Sequence, residues 1–193
     1  LTGADSRQPS YFRTAHNDLI QGAAMANFVF NELGISKAAA IHDGDPYTEG
    51  LASAFSNSFQ ELGGEIVAFE AEAADATNVE PLLTSVAAAD PELIYYPVFI
   101  PLGSLLTKTA KEIDGLEGVT LAAADGVLSP DFLEAAGDAA EGMYMSGPDL
   151  AFGNTIYDTF LATYEENYGT EPTAPFHAHA YDATNMLLYA VVA

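Results

Sequence analysis

Between residues 17 and 148 the chain switches repeatedly between two hydrophobic periods. Residues 17–33 place Ile20, Ala24, Phe28 and Val29 at helical spacing and meet a stop at Gly34, which predicts an amphipathic helix. The apolar run 37–41 then predicts a short buried strand. Residues 48–62 read as a second helix closed by Gly63 and Gly64, and 65–72, with β-branched residues and Phe69, as a second strand. A helix over 77–89, with Thr77 or Asn78 near its cap, ends at Asp90-Pro91. A strand over 93–99, a helix over 103–113 stopped by Gly115, and a strand over 119–123 follow. Pro130 sits in a first-turn position after Ser129, opening a short helix over 130–136, and 143–146 is the last clear strand.

Strand and helix in strict alternation imply parallel strands with crossover helices on both faces. The connections are short, as that class requires. The expected fold class is therefore α/β with a parallel sheet. The pattern changes after Pro148, where helices over 155–168 and 180–192 follow one another without a strand, joined by the Gly/Pro loop 169–175. The segment before Asn17 also lacks a partner, so a domain core is expected at about 15–148, flanked by pieces of another body. The last helix runs without a cap into Val191-Val192-Ala193, and with the opening Leu1-Thr2-Gly3 this reads as a fragment or a processed piece.

Charge changes the picture most. The 193 residues carry 28 Asp and Glu against 5 Lys and Arg, a formal net charge of −23. Hydrophobic residues make up 49% of the chain, enough to fill a core in spite of that charge. Arg7, Arg13, Lys37, Lys108 and Lys111 form no cluster, so neither nucleic acid nor an anionic membrane surface is an expected partner. The absence of Cys removes disulfides, thiolate zinc sites and cysteine nucleophiles. No segment reaches the roughly 18 to 20 apolar residues that span a bilayer.

In a parallel α/β sheet, ligands bind beyond the carboxyl ends of the strands, near the point where the winding reverses. The loops to read are 42–47, 99–103, 124–127 and 147–149. They offer Tyr47, Phe99 and Asp125: two aromatic faces and one carboxylate, which suit a small ligand with an apolar body and an ammonium group. Each also fits a structural role, with Tyr47 packing at a helix start, Phe99 in the core and Asp125 in a turn before Gly126. Asp43 and Asp45 are placed like the carboxylates of a magnesium site, but no lysine follows a later strand, and a solvated turn is the simpler reading. His177 and His179 diverge at helical spacing, and no third metal ligand is evident. Ser129 and Ser146 lack a histidine partner in sequence, and no phosphate loop or nucleophile elbow is present. No cofactor is expected.

Tyr11-Phe12-Arg13-Thr14, Asp18 and Gln21-Gly22 resemble the first interlobe crossover of type I periplasmic solute-binding proteins, in the branched-chain amino acid ABC transporter subgroup. Further matches follow in order: Asp43-Gly-Asp-Pro-Tyr47-Thr-Glu-Gly50, residues 59–64, Pro91-Glu-Leu-Ile-Tyr95-Tyr96, Asp125-Gly126, Ala139-Ala140-Glu141-Gly142, residues 164–169, and Ala180-Tyr181-Asp182-Ala183. Each motif alone is weak, whereas their order and spacing over nearly the whole chain are specific.

The resemblance implies two Rossmann-like α/β lobes joined by three crossovers, with ligand in the cleft between them. Residues 1–14 would be a crossover or hinge, 15–148 the C-terminal lobe, and 149–193 the return crossover with helices of an N-terminal lobe whose remainder lies outside this chain. It also implies ligand contacts from Tyr47 and from Phe99, the latter at a position where relatives often carry tyrosine. Asp125 would take the ligand's α-ammonium, and Phe176 would line the pocket from the returning segment. The implied function is solute capture for an ABC importer, not catalysis. The partners would be an amino acid-like ligand and a membrane permease, and the location periplasmic or extracellular, with a lipid anchor upstream as one arrangement. A ligand-binding sensor domain of the same fold is the alternative, and a small magnesium-dependent enzyme using Asp43 and Asp45 ranks behind both.

Overall fold

Three consecutive alanines, Ala38, Ala39 and Ala40, form the middle of the first strand and are fully buried. That strand, β1 (Lys37–His42), lies inside a five-stranded parallel sheet with β2 (Glu65–Ala71), β3 (Leu93–Tyr96), β4 (Thr120–Ala123) and β5 (Tyr144–Met145), in the order β2-β1-β3-β4-β5. The computed structural model describes residues 9–150, 153 and 155–192. The chain divides into two units, one of Asp18–Gly147 and one of Leu1–Asn17 with Pro148–Ala193.

In the first unit, helices α1 (Asp18–Asn27), α2 (Pro46–Glu61), α3 (Glu80–Ala88), α4 (Ile100–Ala110) and α5 (Pro130–Ala136) cover the sheet. Strand side chains alternate between the two faces, so there are two cores. On one face Ala38, Leu93, Tyr95 and Ala122 pack with Met25 and Ala26 of α1 and with Leu51, Phe55 and Phe59 of α2. On the other, Ala39, Ile41, Ile94, Tyr96, Leu121 and Ala123 pack with α3, α4 and α5 through Leu83, Leu102, Leu106 and Phe132. The small β1 side chains leave room that large neighbours fill: the Phe55 ring lies 4.5 Å from Tyr95 and 5.5 Å from Phe59 between centroids. The winding reverses between β1 and β3, and this crevice is where the fold places a ligand.

The expected α/β class with a parallel sheet is what the chain forms. Several details differ. The buried face of α1 is Gln21, Gly22, Met25 and Ala26, not the expected stripe through Ile20 and Ala24. Ile20 is 60% exposed. The reason is close helix packing: a Cβ on Gly22 would lie 2.6 Å from the Phe55 nitrogen, so small residues must face α2. Beyond Asn27 the same run widens into a π-helical turn, Phe28–Glu32, where the Leu33 N–H reaches the Phe28 carbonyl five residues back. β3 ends at Tyr96 because Pro97 has no N–H for the ladder, and the Val98 N–H turns back to the Tyr96 carbonyl at 2.8 Å. Three helices begin earlier than the apolar spacing indicates, at Pro46, Ile100 and His177. α3 begins later, at Glu80, whose N–H is held by Asn78 Oδ1 at 3.0 Å.

In the second unit, α6 (Thr155–Tyr168) and α7 (His177–Val192) bury none of their described residues. The Tyr157 hydroxyl and His177 Nε2 lie 2.7 Å apart, and the Phe160 ring stacks on His177 at 5.7 Å. Thr14 donates from its hydroxyl to the His179 carbonyl at 2.9 Å. Residues 1–8 of the expected first crossover, and Asn154 in the return segment, lie outside the described residues.

Candidate functional site

Asp45 caps α2 by accepting the Tyr47 N–H on Oδ1 at 2.8 Å, with Pro46 in the first turn. Asp43 Oδ1 accepts the Asp45 N–H at 3.0 Å and the Thr48 hydroxyl at 2.5 Å. Both acidic side chains therefore build the turn that aims Tyr47. No group of three or more His, Cys, Asp or Glu able to hold a metal ion occurs among the described residues.

Tyr47 and Phe99 follow the two strands that flank the reversal. Their ring centroids are 5.6 Å apart at an interplanar angle of 38°. Phe99 precedes the first turn of α4 and is 49% exposed, so it is not the core residue that one reading of the sequence allowed. Asp125 opens a 3-10 turn, Asp125–Val127, directly after β4. Gly126 lets that turn pass close to the neighbouring loop, since a Cβ there would lie 2.7 Å from the Val98 carbonyl oxygen and 3.3 Å from the Phe99 ring. The Tyr47 hydroxyl donates to Asp125 Oδ1 at 3.0 Å. Tyr47, Phe99 and Asp125 thus meet in one place.

Gln21 and Ser146 join them, and sequence reasoning assigned neither to a ligand. Gln21 Nε2 donates to Asp125 Oδ1 at 2.5 Å, to Ser146 Oγ at 3.1 Å and to the Ser146 carbonyl at 3.3 Å. A signal was present in the sequence: Gln21 stands four residues before Met25 and eight before Val29, a polar side chain on an otherwise apolar helix face. Ser129 has a different task, capping α5 through the Phe132 N–H at 3.4 Å.

Burial pushes the Tyr47 hydroxyl pKa well above the ordinary tyrosine value, and the Asp125 charge and its hydrogen bond add to the rise. Tyr95, fully buried beneath, is raised chiefly by burial; the nearby Ser146 hydroxyl opposes the rise, while Asp125 and Asp18 add to it. Both hydroxyls keep their protons at neutral pH, so Tyr47 acts as a donor. The arrangement offers ring faces and a carboxylate together, which is the chemistry that holds an ammonium on an apolar body.

Phe176 belongs to the other unit. There it lies 5.8 Å from the His16 ring and 5.6 Å, edge-on, from His179. Its assignment to the ligand rests on the resemblance. His177 and His179 do diverge on α7: His177 faces Tyr157, and His179 faces Phe176.

The family model for periplasmic binding proteins matches residues 1–193. A Leu/Ile/Val-binding protein homologue of Brucella abortus is 28% identical over 183 residues, covering 94% of this chain and 48% of the relative. Among solved structures, a leucine binding protein of Thermotoga maritima superposes with a TM-score of 0.79 at 30% identity, over 90% of this chain and 49% of that one. A branched-chain amino acid transporter substrate binding protein of Streptococcus pneumoniae, in complex with isoleucine, gives 0.71 at 26% identity, over 87% and 48%. The chain spans about half the length of the curated relatives it matches. These relatives are solute-binding proteins, which does not favour the magnesium-dependent enzyme.

Proposed function

The chain belongs to the periplasmic binding protein family, and from that premise we propose that it is part of the solute-binding component of an ABC importer, taking a small amino acid between two lobes. In this reading the unit Asp18–Gly147 is the C-terminal lobe, and α6 and α7 belong with the N-terminal lobe. The observation that carries the proposal is Asp125, a carboxylate at the carboxyl edge of the sheet, hydrogen-bonded by Tyr47 and flanked by the Tyr47–Phe99 ring pair. Asp125 takes the α-ammonium, and the rings enclose the apolar part. The names of the relatives support an aliphatic amino acid as the ligand class.

Binding acts by favouring the closed arrangement of the lobes, because the ligand contacts both only there. A membrane permease receives the closed form. The family implies an extracytoplasmic location, and among the described residues no helix is long and apolar enough to cross a membrane. Attachment through a lipid anchor upstream is part of this proposal.

A thermal-shift screen of the full-length protein against the common amino acids tests it. A ligand present at about 100 times its Kd adds about 2.7 kcal/mol of stability. The expected result is a rise in Tm with one or more aliphatic amino acids that Asp125→Ala abolishes. No rise with any amino acid rejects the ligand class.

A further inference from the structure

Gln21 is 6% exposed and lies in the first turns of α1, three residues after Asp18, where the chain comes into the α/β unit. Ser146 stands one residue before Gly147, where the chain leaves that unit. One amide group bonds both Ser146 and the carboxylate between them in sequence, Asp125. The chemistry fixes which end of the amide faces Asp125. A carboxylate only accepts, so the NH2 end must point to it, and its second proton is shared between the Ser146 hydroxyl and carbonyl oxygens. Ser146 is itself anchored, since its N–H donates to the Ala123 carbonyl of β4 at 3.1 Å.

The two donors on Asp125 converge on one oxygen. Gln21 Nε2 and the Tyr47 hydroxyl both donate to Oδ1, and among the described residues nothing donates to Oδ2. A lone aspartate after a strand can rotate about its side-chain bonds. Two donors from different helices, α1 and α2, remove that freedom and leave one defined acceptor for a ligand.

We propose that Gln21 is a positioning residue for ammonium capture: its amide fixes the Asp125 carboxylate and ties it to the two points where the chain crosses between units. This rests on the solute-binding reading above and adds to it a residue that acts through Asp125 rather than on the ligand.

A mutant cycle with a spectroscopic arm tests the proposal in the full-length protein, with L-leucine as probe. Gln21→Met keeps the side-chain length and removes both donors. The expected result is about a tenfold loss of leucine affinity by calorimetry, the scale of a hydrogen bond to a charged group. In an Asp125→Ala background the same substitution is expected to change affinity by less than about twofold, because the two residues act as one. In the ligand-free protein, one Gln21 side-chain amide proton is expected to lie downfield, as a proton bonded to a carboxylate does, and its resonance is expected to move upfield in Asp125→Ala. Equal losses in both backgrounds, or unmoved amide resonances, overturn the proposal. Failure of the wild-type protein to bind leucine or any other amino acid overturns the functional reading and this inference with it. That case differs from failure of the inference alone, in which the wild-type protein binds an amino acid but Gln21→Met costs the same affinity in both backgrounds.

Discussion

The Tyr47 hydroxyl donates to Asp125 Oδ1 at 3.0 Å although 78 residues separate the two in sequence. Tyr47 stands at the start of α2, after β1, and Asp125 directly after β4. The bond therefore spans the crevice at which the sheet reverses its winding, and it connects a ring face to a negative charge at the place where a ligand of mixed character would lie.

If Asp125 takes the ammonium, Asp125→Ala weakens binding of an α-amino acid by at least ~1.5 kcal/mol, the low end for a hydrogen bond to a charged group. Calorimetry on the full-length protein reads this directly. The same substitution leaves affinity for the deaminated analogue nearly unchanged, and equal losses for both ligands would count against the role.

Gly126 allows the Asp125 turn to approach the neighbouring loop. Gly126→Ala puts a Cβ 2.7 Å from the Val98 carbonyl oxygen, so one of the two loops must give way. The expected cost in stability is about 1–3 kcal/mol, as for other overpacked sites. Denaturant unfolding checks the stability loss, and weaker amino acid binding is expected beside it.

Tyr47, Tyr95 and Tyr96 all have pKa values raised by burial. In the unfolded chain they lose protons near the ordinary tyrosine pKa of about 10. Above that pH the folded state holds more protons than the unfolded state, so stability falls as pH rises. Thermal melts across the alkaline range are expected to show a declining Tm beginning at about pH 10. Tyrosinate absorbance is expected to show these three of the ten tyrosines ionising only as the protein unfolds. Titration of all ten before unfolding would contradict the burial.

The net charge of −23 makes the folded surface repel itself. Lys37 and Asp90 form an ion pair at 3.3 Å, but 5 basic residues cannot neutralise 28 acidic ones. Tm is expected to rise by several degrees when salt shortens the Debye length to about 3 Å at 1 M. A melting point insensitive to salt would show that the carboxylates are too dispersed to matter.

Much of this architecture was legible in the sequence because its signals are local. Ser129 followed by Pro130 located α5, and the Ser129 side chain does cap it. Asp90-Pro91 ended α3, with Asp90 held at a positive φ of 54°. Helix starts were less legible. Pro46, in the first turn of α2, adds nothing to the apolar stripe although its backbone already has helical form, and Ile100 packs against the core from a first turn that lies ahead of the apolar run at 103–113. The α1 face was misread because hydropathy favours Ile20, whereas backbone proximity to α2 selects Gly22. Gln21 shows locally only as a polar side chain on an apolar helix face, while its partner Asp125 lies 104 residues away, a pairing that no local pattern encodes.

Gly22 also has a consequence for the energetics of association. Its contact with α2 is backbone to backbone, with a Cβ excluded at 2.6 Å from the Phe55 nitrogen and 2.7 Å from the Ala54 Cβ. α1 and α2 are thereby joined along their length, and Gln21 in one keeps its spacing from Tyr47 in the other. The groups that hold Asp125 are thus fixed by packing within the unit, and a ligand bound as proposed would cost this side of the site little conformational freedom. If Asp125 takes a ligand's charged end as proposed, that grip is set when the unit folds rather than when the solute binds.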